Sequence, residues 1–205
     1  MQRNKIVYYY FLKIKKFHFP LRQFINLMKI QSLAVFCGSK TGNNPLYMQE
    51  AAVAGKIVAE KNITLIYGGG DVGIMKAIAD SVMQHGGEVI GVIPQVLVDW
   101  EHQHKGITEL LVVEDMHSRK KKLYDLCDAA LILPGGFGTL DELFEMLTWN
   151  QLSIHNKKIF ILNSAGFYDH LIAHMYQLQQ DGFLYDPVDK RITLLTTAGE
   201  LQSCL

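Results

Sequence analysis

The segment "LILPGGFGTLDELFEMLTW" (residues 131–149) decides the fold. Apolar residues lead into Pro134, a glycine-rich turn follows, and apolar residues then recur at helical spacing. This order predicts a buried strand, a tight turn and a helix start. A helix start presents unpaired backbone N–H groups and partial positive charge, so a phosphate can bind there. Two carboxylates, Asp141 and Glu142, come directly after the turn, and a phosphate site alone has no use for them.

The same alternation of strand and helix patterns continues along the chain. Short apolar runs predict strands at 32–39, 63–70, 88–94, 108–114, 129–136, 157–163 and 192–197. Apolar residues at helical spacing predict helices at 45–62, 73–87, 116–127, 139–152 and 168–182. Such alternation calls for a parallel sheet covered by helices on both faces. We therefore predict one α/β domain, over residues 31–205, with ligands bound beyond the carboxyl ends of the strands.

Composition excludes several classes of protein. The 205 residues are 49% apolar and 20% charged, an ordinary globular balance that suits one domain. No apolar run reaches the length of roughly 18 residues that a membrane span needs, so we expect none. Residues 1–30 hold seven Lys or Arg and no acid, whereas the remainder has 13 basic and 20 acidic side chains, a formal −7. An acidic body argues against nucleic-acid binding.

The basic N-terminal segment, residues 1–30, is read as an extension of the domain. Lysines interrupt its apolar run, and no small-residue cleavage site follows, so it does not resemble a signal peptide. One interpretation is an extension that packs weakly or not at all, and a second is a targeting or membrane-surface role. The interpretation we favour is that translation starts at Met28, just before the first strand.

Cysteine and histidine spacing gives no sign of a metal site. Cys37, Cys127 and Cys204 are far apart and odd in number, which favours free thiols in a reducing cytoplasm. We interpret Cys37 as a small buried residue rather than a nucleophile. The histidines, among them His104, are expected at the surface or at an interface.

Two glycine turns are candidates for anion binding. "PGGFGT" (134–139) offers backbone amides, with Thr139 as N-cap or hydroxyl donor, and "GGGDVGIM" (68–75) offers a second turn. Neither matches the dinucleotide fingerprint or a Walker loop. Either turn alone could be a plain strand-to-helix connection, but two at predicted strand ends favour a ligand. Asp141 by default complements the helix dipole, and Glu142 can face the groove beside the phosphate.

The helix predicted at 116–127 starts with the basic stretch "MHSRKKK" (116–122). Cations at a helix start are unfavourable unless an anion lies opposite. Lys121 and Lys122 fit a solvated face, whereas Arg119 and Lys120 come directly after a predicted strand end. The Arg119 guanidinium suits a phosphate or a carboxylate held by two hydrogen bonds.

These motifs together resemble the LOG ("lonely guy") family, cytokinin riboside 5′-monophosphate phosphoribohydrolases often mislabelled as lysine decarboxylases. "DMHSRK" is followed by "LPGGFGTLDELFEMLTWNQLSIHNK", with Arg119 placed 23 residues before Glu142 as in the family pattern. "FCGS", "YGGGDVGIM" and "VIGVIP" also fit, so the resemblance spans roughly residues 32–185. The sequence departs from the pattern at Asp141, where Glu is common, and at Ser153, where Gly is usual.

The resemblance implies a fold, an activity and a set of site residues. It implies a Rossmann-like doubly wound sheet, a homodimer with active sites near the interface, and hydrolysis of a nucleoside 5′-monophosphate to free base and ribose 5-phosphate. It implies no cofactor and no metal. By position it makes Arg119 and Glu142 the catalytic pair. The substrate-binding positions that it implies are Glu101, Lys120, Gly135, Gly136, Gly138, Thr139 and Thr148.

Two other functions remain as alternatives at this stage. A lysine decarboxylase would need a Schiff-base lysine for pyridoxal phosphate, and no recognisable motif supplies one. A nucleotide-binding or sensing module without turnover would need only the glycine turns. The pairing of Arg119 with Glu142 favours the enzyme.

Overall fold

The computed structural model describes residues 29–100 and 103–205. Within these ranges the chain forms one domain in which a seven-stranded parallel sheet is flanked by helices. The strands are β1 (Ser32–Phe36), β2 (Thr64–Tyr67), β3 (Val89–Pro94), β4 (Glu109–Val113), β5 (Ala129–Ile132), β6 (Lys158–Leu162) and β7 (Thr193–Leu195). The helices are α1 (Leu46–Glu60), α2 (Gly73–Gln84), α3 (Gln95–Asp99), α4 (Met116–Leu126), α5 (Phe137–Gln151), α6 (Asp169–Gln180), α7 (Val188–Arg191) and α8 (Leu201–Cys204), with 3-10 turns at Ser164–Gly166 and Ala198–Glu200.

The order of the strands determines where the sheet forms a crevice that can bind a ligand. They lie in the order β4-β3-β2-β1-β5-β6-β7, and every pairing is parallel. The chain runs outward from β1 to β4, then returns to pair β5 with β1 and runs outward on the other side. The loops after β1 and β5 therefore part in opposite directions and leave a crevice, the place where open α/β sheets bind ligands.

The core has two layers because successive residues of each strand face opposite sides of the sheet. Leu33 and Val35 of β1 pack against the side covered by α1 and α2. Ala34 and Phe36 pack against the side covered by α4, α5 and α6. Both faces of the central strands are buried, which explains why these strands read as unbroken apolar runs rather than as alternating ones.

The predicted fold class is confirmed, and four helices differ from the predicted elements. The segment after β3 was expected to be a loop but contains helix α3, which is only five residues long and carries no periodic signal. Helix α5 begins at Phe137, two residues before the expected start at 139. The short helices α7 and α8 were not predicted. The interpretations of the basic N-terminal segment fall mainly on residues 1–28, which lie outside the described residues.

Candidate active site

A cavity of about 320 Å³ lies at the crevice between the carboxyl ends of β1 and β5. One wall is the start of α5, and the opposite wall is built by the turn after β2 and by Leu97 of helix α3. Arg119 of α4 and Glu142 of α5 both line it. The residues that form the remainder of the lining are Val35, Phe36, Cys37, Gly38, Ser39, Gly68, Met75, Gly136, Phe137, Gly138 and Thr139.

The start of α5 leaves three backbone N–H groups without a partner in the helix. Gly136 is the N-cap, and the first bond of the helix is donated by the Leu140 N–H to the Gly136 carbonyl. The N–H groups of Phe137, Gly138 and Thr139 therefore precede the helical ladder and have no partner within it. The partial positive charge of the helix start adds to these donors. The turn thus offers three amides to a phosphate at the wall of the cavity.

Two glycines of this turn are not required by the folded chain itself. A Cβ atom built on Gly136 or on Gly138 would meet no heavy atom within 4 Å. Neither residue has a positive φ, so an alanine would suffer no backbone strain. The space beside both glycines is open, so a methyl group there would meet no described part of the protein.

The side chain of Thr139 packs against Gly135, which is required by the folded chain. A Cβ on Gly135 would collide with the Thr139 side chain and would stand 2.9 Å from the backbone nitrogen of Gly38. Thr139 is 3% exposed and lies in the first turn of α5, so the N-cap alternative is wrong, whereas its use as a hydroxyl donor stays a prediction. The error follows from the earlier helix start at Phe137. Gly135 lines a neighbouring cavity rather than the one that contains Arg119.

Arg119 is held by the ends of two strands. Its Nε donates to the Val92 carbonyl of β3 at 3.0 Å, and its Nη2 donates to the Gly68 carbonyl after β2 at 3.3 Å. Its Nη1 lies 3.8 Å from Glu142 Oε1. A Cβ on Gly68 would collide with the guanidinium, so this glycine leaves the space that the arginine fills. The structure thus brings together the two residues that the family pattern pairs.

Glu142 is a buried carboxylate whose charge is costly. The residue is 8% exposed, and no described residue donates a hydrogen bond to its side chain. Desolvation raises the pKa of Glu142 to about 7, against the opposing effect of the Arg119 charge. Burial also raises the pKa of the neighbouring Cys37 thiol, so Cys37 stays protonated and serves as packing. A carboxyl group with a pKa near neutrality, in a cavity beside a cation, has the character of a catalytic group.

Asp141 and Lys120 form a separate cluster beside the cavity. Lys120 Nζ lies 3.1 Å from Asp141 and 2.9 Å from Glu145, and the Tyr124 hydroxyl donates to Glu145 at 2.9 Å. Because α5 starts at Phe137, Asp141 falls in the second turn and its expected role at the helix dipole is wrong. Glu145 and Tyr124 carry no motif, and no signal in the sequence pointed to them.

The second glycine turn is a packing junction and does not offer the anion site that its pattern indicated. The N–H groups of Ile74 and Met75, at the start of α2, lie 3.1 and 3.4 Å from the Gly38 carbonyl and donate to it. Gly73 has a φ of +58° and sits against Ser39 and Lys40, where a Cβ would collide with the backbone. This turn therefore fixes the loop after β1 against α2.

Thr148, another predicted site residue, lies away from the cavity. Thr148 donates its hydroxyl to the Phe144 carbonyl at 2.7 Å and lines a different, apolar cavity of about 190 Å³. Glu101 lies outside the described residues. His104 was expected at the surface or at an interface but is 7% exposed, so the surface expectation is wrong. No group of His, Cys, Asp or Glu within residues 29–100 and 103–205 has the arrangement of a metal site.

Comparison with known proteins gives the chain its relatives. A family model described as "Possible lysine decarboxylase" matches residues 75–204. The chain is 41% identical to a rice protein (Oryza sativa subsp. japonica) named "Probable cytokinin riboside 5'-monophosphate phosphoribohydrolase LOGL1". The match covers 82% of this chain and 76% of the rice protein. It is 39% identical to "Cytokinin riboside 5'-monophosphate phosphoribohydrolase LOG1" of Arabidopsis thaliana, in a match that covers 84% of this chain and 81% of that protein.

A solved structure supports the fold alone. The molybdenum cofactor binding protein of Rippkaea orientalis superposes with a TM-score of 0.66 at 17% identity, over 86% of this chain and 96% of that one. Fold and cavity thus define a Rossmann-like α/β protein with a cavity at the point where the order of the strands reverses. The sequence matches go further: the chain belongs to the LOG family, the group that the "Possible lysine decarboxylase" model describes.

Proposed function

We propose that this protein hydrolyses the N-glycosidic bond of adenine-type nucleoside 5′-monophosphates, a cytokinin riboside 5′-monophosphate or AMP, to free base and ribose 5-phosphate. The observation that carries the proposal is that the first residues of α5 and Glu142 line the same cavity. The open amides of α5 and the buried carboxylate of Glu142 belong to the same helix, one turn apart. A nucleotide needs both, because its phosphate and its glycosidic carbon are separated by a ribose. The names of the relatives are consistent with this activity.

The phosphate would be the anchor. The N–H groups of Phe137, Gly138 and Thr139 would bind its oxygens, and the helix start would complement its charge. Because the phosphate takes no part in the bond that breaks, its binding energy can hold the glycosidic carbon in place. The absence of a side chain at Gly136 and Gly138 lets the phosphate reach the amides.

Glu142 would act on the ribose. As the C1′–N9 bond breaks, its electron pair leaves with the base and positive charge builds on the sugar ring. The ionised Glu142 carboxylate can stabilise that charge or accept a proton from the attacking water. The water oxygen bonds to C1′, and the base gains a proton on release. Arg119 would orient Glu142 and keep part of it ionised, since its charge opposes the effect of burial on the pKa.

Lys120, Thr148 and Glu101 complete the proposed substrate-binding set. Lys120 stands between Asp141 and Glu145, so a ligand would have to compete with two ion pairs. Thr148 lines a cavity beside α7 instead of the one with Glu142. A homodimer that brings α5 of one copy against the cavity of another would reconcile this position with a contact to substrate.

The proposed state is a cytoplasmic homodimer. Large apolar side chains stand exposed near the end of α5, among them Leu152 at 63% and Ile154 at 60%, as expected of a surface that a partner covers. The described part of the chain contains no helix long and apolar enough to cross a membrane. Sedimentation of the purified chain over a range of concentrations tests the dimer.

The alternative function is a nucleotide-binding or sensing module without turnover. It requires the α5 amides but gives no reason for a carboxylate with a raised pKa beside an arginine. A lysine decarboxylase has no support in the cavity, because none of the described residues that line it is a lysine. Incubation with a panel of nucleoside monophosphates separates these functions. Free base and ribose 5-phosphate indicate the hydrolase, whereas tight binding without products indicates the sensor.

A further inference from the structure

A buried histidine outside the cavity connects three segments of the chain. His104 Nε2 lies 2.9 Å from Asp80 Oδ1 on α2 and 3.4 Å from Asp71 Oδ1 in the turn after β2. Lys76 on α2 forms ion pairs with the same two carboxylates. The imidazole therefore sits in a small network that joins the 103–106 segment to α2 and to the glycine turn. Nothing in the proposed reaction uses this network directly.

Both ring nitrogens of His104 have defined partners. The Gly106 N–H donates to Nδ1 at 3.0 Å, so Nδ1 carries a lone pair. The proton then resides on Nε2 and is donated to Asp80. An imidazole that accepts on one side and donates on the other has a single orientation. It holds the 103–106 segment at a fixed distance from α2.

The same segment holds the turn that orients Arg119. The His104 backbone N–H donates to the Gly69 carbonyl at 2.9 Å, and Gln103 forms an isolated bridge with Gly70. One peptide earlier, the Gly68 carbonyl accepts from Arg119 Nη2. Gly69 has a φ of +75°, a conformation that glycine adopts freely and therefore leaves easily. The bonds from the 103–106 segment act together with the packing of Gly69 against β3 to hold this conformation.

We propose that His104 is a positioning residue for Arg119. By tying the 103–106 segment to Asp80 and to the glycine turn, it fixes the Gly68 carbonyl and thereby the place of the guanidinium opposite Glu142. Its effect on turnover rests on the proposed function, but its effect on Arg119 does not. A positional error of about 1 Å in a catalytic group can lower the rate on the order of 100-fold, so the position that His104 gives Arg119 affects the rate of the reaction.

The direct test observes Arg119 without reference to activity. The full chain contains four arginines, Arg3, Arg22, Arg119 and Arg191, so the side-chain Nε–H signals in a ¹⁵N correlation spectrum can be assigned by substitution. His104→Ala should shift the Arg119 signal and speed its exchange with water. His104→Gln keeps an N–H donor near the Nε2 position and should restore most of the wild-type signal.

A matched control is available on α2. His85 Nδ1 lies 2.8 Å from the Ser81 carbonyl at the end of that helix, so His85→Ala removes a comparable local bond without touching the glycine turn. It should leave the Arg119 signal unchanged. An Arg119 signal that is the same in folded His104→Ala as in wild type overturns the proposal. If His104→Ala does not fold, the decisive comparison is His104→Gln with His104→Asn, which lacks the reach to Asp80 and should perturb Arg119 more.

Kinetics provides the second readout. With AMP as substrate, His104→Ala should lower kcat by roughly 10- to 100-fold. The Kd for ribose 5-phosphate should stay within about twofold, because phosphate binds to the α5 amides and not to the glycine turn. Equal weakening of phosphate binding would indicate a general loss of structure and contradict the positioning role. Absence of turnover in wild type would refute the proposed function, whereas the Arg119 signal would still decide the inference.

Discussion

Arg119 Nη1 and Glu142 Oε1 face each other at 3.8 Å across the cavity, beyond hydrogen-bonding distance. The guanidinium uses its Nε and Nη2 on backbone carbonyls, so it is fixed independently of the carboxylate. The positive charge of Arg119 therefore acts on Glu142, although the Glu142 oxygens accept no hydrogen bond from the guanidinium. A carboxylate in this condition remains available to a ribose or a water.

The first prediction concerns the pH dependence of turnover. The pKa of Glu142 is raised to about 7 by burial, and the proposed reaction uses the ionised form. We expect kcat/KM for AMP to rise about tenfold between pH 6 and pH 8, with an apparent pKa near 7. Initial rates over this range provide the check. A profile that falls with rising pH would show that the group acts as an acid instead.

The second prediction concerns stability and its pH dependence. A carboxyl group whose pKa rises on folding from its ordinary value of 4.5 to about 7 stabilises the fold most below pH 4.5, and this stability is lost as pH rises through 7. Between these pH values the free energy of unfolding should fall by about 3 kcal/mol because of Glu142. Glu142→Gln removes the titration, so the variant should gain stability relative to wild type between pH 5 and pH 8.

Urea unfolding at both pH values measures this difference. Glu60→Gln, at an exposed position of α1, is the matched control and should show no comparable gain. A constant difference between Glu142→Gln and wild type at the two pH values would contradict the raised pKa. The same variant should lose about 100-fold or more of its hydrolytic activity while remaining folded.

The third prediction separates ligand binding from packing within one turn. Gly138→Ala places a methyl group in open space at the start of α5. The free energy of unfolding should therefore equal that of wild type or exceed it by up to about 1 kcal/mol, because alanine favours a helix more than glycine does. Its kcat/KM should fall about 10- to 100-fold, because the methyl group obstructs the phosphate.

Gly135→Ala is the contrasting variant. Its Cβ would collide with the Thr139 side chain, so it should destabilise the protein by roughly 1 to 3 kcal/mol. Thermal unfolding and initial rates on both variants test the pair. Full activity in a folded Gly138→Ala protein would remove the α5 amides as the phosphate site.

The fourth prediction concerns the residue after α5. Ser153 has a φ of +58°, and its N–H donates to the Asn150 carbonyl as the helix ends, so it occupies the position that glycine favours. Ser153→Gly should raise the free energy of unfolding by about 1 kcal/mol. Asn62, at φ +54°, is the control, because asparagine tolerates this conformation better and Asn62→Gly should gain less. Equal gains at the two positions would contradict the strain argument.

Local patterns in the sequence predict much of the fold and part of the site. The strand–turn–helix order of residues 131–149 places the phosphate turn and puts Glu142 one turn beyond it, because both lie in a single continuous segment. The apolar runs predict the sheet because both faces of its central strands are buried. The pairing of Arg119 with Glu142 came from the family pattern and is found in the structure.

Contacts between distant segments were not predictable in the same way. The contact of Lys120 with Glu145 depends on how α4 packs against α5, and no periodicity encodes that. His104 gains its partners from α2 and from the turn after β2, so its local sequence resembles an ordinary loop. The second glycine turn has the pattern of a phosphate loop, yet its Ile74 and Met75 amides donate to the Gly38 carbonyl. Only the folded chain shows which helix start stays open.

The most direct test of the central claim compares AMP with adenosine as substrates for the wild-type protein and for Glu142→Gln. For wild type, the account predicts adenine and ribose 5-phosphate from AMP in equal amounts, and a kcat/KM for adenosine lower by at least about 100-fold, because the phosphate that positions the glycosidic bond is missing. Glu142→Gln should bind AMP and release almost no base. Comparable turnover of adenosine and AMP, or retained hydrolysis by folded Glu142→Gln, would contradict the account.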